Sequence, residues 1–149
     1  MELRHQLENF EQAYLRGEIN ALNISARFKK IAETILYGGY IDVYGEFRVY
    51  ARTLEFYFHE EEGLIKDPIV YHRNGKYGDR LPNPPYFPIM SLHAHMSGFD
   101  ITFESEEGKY RASALIRKYS VYKNVYTGKK WKEEKGLYDY EWSFSAIDL

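Results

Sequence analysis

The chain has no cysteine, which excludes a disulfide framework and a thiolate zinc site and fits a reducing compartment. It has no run of eighteen apolar residues, so no segment reads as a membrane-spanning helix. The polar start MELRHQLENF does not read as a signal peptide. The expectation is a cytoplasmic protein without a membrane partner. Proline is scarce, and four of the five prolines fall in LPNPPYFP, residues 81–88. That stretch cannot join a central strand and reads as a stiff loop. No internal repeat is present. At 149 residues the chain fits one domain, with residues 1–37 forming a helical part and 38–149 a β-rich part.

Charge is present but unevenly spread. From Lys109 to Lys135 nine Lys or Arg stand against Glu133 and Glu134, a balance of +7, so with a net charge of −2 the rest of the chain carries −9. Tyr110, Tyr119, Tyr122, Tyr126 and Trp131 interleave with these cations. That mixture suits nucleic-acid backbone contact and base stacking, with Lys129, Lys130 and Lys132 as the candidate phosphate contacts. A solvated antiparallel hairpin has the same alternation of aromatic and charged residues.

Apolar spacing separates helices from strands. Leu3, Leu7, Phe10 and Tyr14 form one stripe that Gly17 ends; Ile24, Phe28, Ile31, Ile35 and Leu36 form a second, from about Asn23 to Leu36, that Gly38-Gly39 ends. Beyond Tyr40 the period changes to two. Expected strands are Tyr40 to Tyr44, Glu46 to Phe58, Ile69 to His72, Ile89 to His95, Phe99 to Glu104, Lys109 to Tyr122 and Leu137 to Phe144. Gly45, Asn74-Gly75, Ser97-Gly98, Glu107-Gly108 and Thr127-Gly128 mark turns between them. The order predicts an α+β fold in which two N-terminal helices pack on a strongly curved, mainly antiparallel β-sheet.

Polar residues inside strands are the candidates for chemistry. In RVYARTLEFYF, alternation groups Glu55 with Phe47, Val49, Ala51, Thr53 and Tyr57, and sets Arg48 and Arg52 on the other side with Tyr50, Leu54, Phe56 and Phe58. A carboxylate among apolar neighbours has its charged form destabilised, which suits a general base; the structural alternative is an ion pair with Arg117 or His72. DPIVYH ends in His72, and HAHMSGFDIT offers His93, His95, Ser97 and Asp100.

Taken in order, Glu55 and Tyr57 in LEFY, Asp67 and His72 in KDPIVYH, Asp100 in FDIT and Arg117 in ALIR resemble the alkyladenine (3-methyladenine) DNA glycosylase family, over about residues 53–119. The family's strand carries E-A-Y, followed by D-x-x-H, an M-N-I/V strand and a V-L-L/I-R-A strand. The resemblance implies that Glu55 and His72 position and activate the water that cleaves an N-glycosidic bond. It implies that Tyr57 stacks on the extruded base, that Asp100 lies where base or backbone is approached, and that Arg117 holds the nucleic-acid backbone. No cofactor is implied. The sequence departs from the pattern after His72, where RNGKYGDRLPNPPYFP stands, and at HAHMSG, where Met96 is the candidate wedge.

Two other readings remain open. His93 and His95 share a strand face, and with Asp100 or Glu104 they form a candidate metal site in a cupin-like barrel, with His72 as a further ligand. Fifteen Tyr and nine Phe also suit a non-enzymatic module that binds nucleic acid or another ligand by stacking, whereas in the hydrolase reading His95 joins Tyr57, Asp100 and Arg117 as a candidate substrate contact.

Overall fold

The structure, a computed structural model, describes residues 3–43, 45–66, 85–95, 98–123 and 141–144. The first stripe folds as α1 (Leu3–Leu15), which buries Leu7, Phe10 and Ala13. It ends at Gly17, whose φ of 74° is left-handed, while Glu18 N–H reaches back to Ala13 O at 3.0 Å. A turn follows in which Asn20 Oδ1 accepts from the backbone of Leu22 and Asn23. The second stripe then folds as α2 (Ile24–Tyr37), burying Ile24, Phe28, Ile31, Ala32, Ile35 and Leu36.

The β-rich part is a curled sheet of β1 (Ile41–Val43), β2 (Phe47–Glu60), β3 (Ser91–His95), β4 (Gly98–Thr102), β5 (Tyr110–Lys123) and β6 (Glu141–Phe144). Five strands run antiparallel in the order β1-β2-β5-β4-β3. β5 takes one edge of β2 over its whole length, which leaves β1 and the parallel strand β6 to share the other. The fold is α+β with its helices at the N-terminus, as expected. The strand expected from Ile89 begins only at Ser91, because Met90 takes a left-handed φ of 67° and Ser91 N–H turns back to Pro88 O. The expected strand Ile69 to His72 lies outside the described residues.

One face of the sheet carries the helices. Phe10 and Phe28 meet Phe56, Phe58, Phe103 and Tyr110 in an aromatic core, with Phe28 stacked on Phe56 at 4.8 Å and on Phe10 at 5.5 Å. Gly98 lets the start of β4 sit close against β5, since a Cβ there would stand 2.0 Å from Ile116 O at a φ of 139°. On the opposite face lie Glu55, Tyr57 and Arg117, with Asp100 two strands from Glu55.

Candidate functional site

In β2 the side chains turned toward the helices are Val49 and Ala51, then Leu54, Phe56 and Phe58. This set passes from odd to even numbers, which strict alternation forbids. β5 changes in step: Tyr119 stands opposite Ala51, whereas Ile116, Ala114 and Ala112 stand opposite Leu54, Phe56 and Phe58. The change falls at an irregularity where Thr53 is matched with Lys118 and the register shifts on both sides. Lys118 N–H there donates to Thr53 Oγ1 at 3.0 Å. The grouping expected from alternation is therefore corrected. Val49 and Ala51 do not share a face with Glu55, while Arg48 and Arg52 do.

Glu55 stands opposite Leu115, so Arg117, two residues along β5, is its diagonal neighbour. Arg117 Nε lies 2.5 Å from Glu55 Oε1, and the Tyr57 hydroxyl donates to Glu55 Oε2. The carboxylate is thus one centre of a three-residue cluster rather than an isolated group. The pair is partly open, with 30 % of the Glu55 side chain and 47 % of the Arg117 side chain exposed, whereas Tyr57 is 8 % exposed. Burial first, then the bond to Glu55, pushes the Tyr57 phenol above its usual range. The bond to Glu55 holds the Arg117 guanidinium more firmly protonated.

Beyond the cluster lie Arg52, which donates to Ser120 Oγ, and a ladder of rings in which Tyr50 meets Tyr122 at 5.6 Å and Tyr40 at 5.7 Å. The Arg48 guanidinium sits 4.3 Å over Tyr40. Sequence reasoning singled out neither Arg52 nor Tyr50 as a site residue, because alternation set both across the sheet from Glu55.

Register extends the face toward β3. Leu115 stands opposite Asp100, and Asp100 opposite His93. Strands lie about 4.8 Å apart, so Glu55 and Asp100 are separated by about 10 Å and Glu55 and His93 by about 14 Å at the backbone. Asp100, 2 % exposed, shares the face with Glu55. The neighbouring row is Tyr57, Ser113, Thr102 and Ser91, where Thr102 Oγ1 donates within reach of Pro88 O and Ser91 O, at 3.0 and 3.1 Å. His93 Nε2 lies 2.9 Å from Ser91 Oγ, and its ring packs on Phe87 at 4.2 Å. Among the described residues no three His, Asp or Glu side chains come together as a metal site. His95 lies in β3 opposite Gly98, and its side chain is outside the described ones.

Arg111 was counted among the surface cations of the basic stretch, and the structure corrects this: it is 1 % exposed and bound to Glu61 and Glu104, each at 3.0 Å. It also donates to Pro85 O at 2.8 Å and lies 3.7 Å over the Tyr86 ring, while Phe87 N–H donates to Glu104 Oε1. This network clamps residues 85–87 to the sheet. Tyr110, likewise expected at a cationic surface, is in the core. Lys109 pairs with Glu62, and Arg117, Lys118 and Tyr119 remain exposed.

His72, Asp67, Met96, Ser97, Lys129, Lys130 and Lys132 lie outside the described residues. What the described face offers is an ordered carboxylate between a guanidinium and a phenol, aromatic rings farther along β2, and hydroxyls on β5, β4 and β3. No helix among the described residues is long and apolar enough to cross a membrane. Comparison of the chain with protein-family models, with curated proteins and with solved structures finds no match.

Proposed function

We propose that the face around Glu55 is the substrate site of an N-glycosidic-bond hydrolase that acts on a modified base, in nucleic acid or in a smaller nucleoside. The observation that carries this reading is convergence: Glu55, Tyr57, Asp100 and Arg117, drawn from three neighbouring strands, share one face. Glu55 uses one lone pair toward Arg117 and one toward Tyr57, which leaves others for a water or a sugar. In the proposed step a water held by Glu55 and a free guanidinium N–H attacks C1′. The C1′–N bond breaks with its electron pair leaving on the base, and the water proton passes to Glu55. A carboxylate also stabilises the positive charge that develops on the sugar. An alkylated, cationic purine leaves neutral and needs no acid. Tyr57, which holds Glu55 through its hydroxyl, is the ring beside a base held outside its stack.

The contacts already on the Glu55 carboxylate favour a second reading, a binding module that holds such a ligand without turnover. Single-turnover assays on alkylated single- and double-stranded oligonucleotides, scored for abasic sites, separate the two. Abasic sites formed by wild type and not by Glu55→Gln support the hydrolase. Saturable binding without abasic sites supports the module and sinks the hydrolase.

A further inference from the structure

The Arg117–Glu55 pair lies on the polar face because the β2–β5 ladder changes its inward-facing set between Ala51 and Leu54. With regular alternation, Glu55 would fall on the face of Val49 and Ala51, among the helices, and Arg117 on the face of Tyr119. One hydrogen bond at this point is made by a side chain, from Lys118 N–H to Thr53 Oγ1 at 3.0 Å. Such an acceptor holds a backbone donor where the register shifts, and an irregularity without it is disfavoured against the regular register. We propose that Thr53 is a positioning residue: its hydroxyl pins the irregularity that turns the Glu55–Arg117 pair onto the polar face. Thr53 touches no reacting atom and acts through Lys118 and the strand. The role rests on the site proposed above for its purpose, but it can be read without turnover.

The test uses the full chain, labelled with nitrogen-15. Arg117→Lys identifies the Arg117 Nε–H signal, which is displaced from those of solvated arginines by its carboxylate partner. In Thr53→Val, which keeps the shape and removes the acceptor, the Lys118 amide should exchange about tenfold faster, the size expected for one lost hydrogen bond. The Ala114 amide, deeper in β5, should keep its rate, and the Arg117 signal should move from its wild-type position as the pair leaves the polar face. Thr53→Ser should restore both. Faster Lys118 exchange with an unmoved Arg117 signal overturns the proposal, as does a Thr53→Ser protein that behaves like Thr53→Val. If Thr53→Val does not fold, wild type and Thr53→Ser still decide: Lys118 exchanging like an open amide in either one overturns it. Where wild type turns over substrate, Thr53→Val should lower kcat as Arg117→Lys does, with Thr53→Ser restoring it. Absence of turnover in wild type removes the hydrolase reading alone and leaves the resonance data to judge Thr53.

Discussion

Replacing Glu55 by glutamine keeps the side-chain shape and leaves one acceptor oxygen where two now serve Arg117 Nε and the Tyr57 hydroxyl. The new amide NH2 then faces a donor. Tyr57 is 8 % exposed and cannot turn its hydroxyl fully to water, so a weakened bond there costs about 1 kcal/mol. Arg117 is 47 % exposed and swings to solvent, so its lost pair costs about 0.2–1 kcal/mol. A fully buried cation left alone would instead cost about 3–5 kcal/mol. The expected loss is about 1–2 kcal/mol, which lowers Tm by about 3–6 °C in a chain of this length. Urea and thermal unfolding of wild type, Glu55→Gln, Arg117→Gln and the double variant measure the loss and the coupling between the two positions. The Arg117 share should shrink in about 1 M salt, where screening acts within about 3 Å. A Glu55→Gln protein as stable as wild type would falsify the account of the cluster. A loss above about 3 kcal/mol would show that the pair is sealed from water.

Burial pushes the phenols of Tyr14, Tyr57 and Tyr110 above their usual range, so their contribution is intact below the unfolded value of about pH 10 and is lost as pH rises above it. Melts from about pH 8 to about pH 11.5 should show stability falling only at the alkaline end, by at most about 1.4 kcal/mol per pH unit per phenol, and Tyr57→Phe should flatten the fall. A pH-independent Tm over that range refutes this. Arg111→Met strands the buried Glu104 carboxylate and should cost about 3–5 kcal/mol in urea unfolding, with much of it recovered when Glu104→Leu is added; a loss under about 1 kcal/mol counts against a sealed network. If the basic stretch carries nucleic acid, reversing Lys129, Lys130 and Lys132 together should weaken binding evenly across sequences and reduce the salt slope by up to about 3. Unchanged oligonucleotide affinity rejects that role.

Both helices were legible in the sequence because their apolar stripes are unbroken and each stops at glycine. β2 and β5 were legible as strands for the same kind of reason, their long alternating runs. The break in that alternation was not. A rule of two assumes a regular ladder, and the signal at Arg52-Thr53, one polar pair facing Arg117-Lys118, looks like any exposed stretch until the partner strand is known. The choice of Glu55, Tyr57, Asp100 and Arg117 nonetheless brought together residues of one face, because Glu55 with Tyr57 and Asp100 with Thr102 each keep their alternation within the regular part of a strand. Arg111 was misjudged by composition, since its neighbours in sequence are cations. Its partner was available: Glu104 and Arg111 flank the Glu107-Gly108 turn one residue outside the Ser105–Tyr110 bridge, so a hairpin reading of that turn pairs acid with base across the strands. The start of β3 was misplaced because Ile89 and Met90 are apolar and extend the pattern, while the left-handed φ at Met90 has no glycine to announce it.

The long β2–β5 pairing also bears on how the chain reaches its native state. β3, β4 and β5 follow one another through short connections, whereas Glu60 meets Tyr110 only after the chain between them has closed. Closing a loop of roughly 50 residues costs about 2 kcal/mol more in chain entropy than closing a tight turn of about four. The β3–β4–β5 meander can therefore nucleate on its own, while β2 docks late and brings α2, β1 and β6 with it. The folding rate should then respond to changes at Ile101 or Ala114, and the unfolding rate to changes at Ile41 or Val49. The Glu55 cluster, which straddles β2 and β5, would be among the last parts to assemble and among the first exposed when the sheet opens.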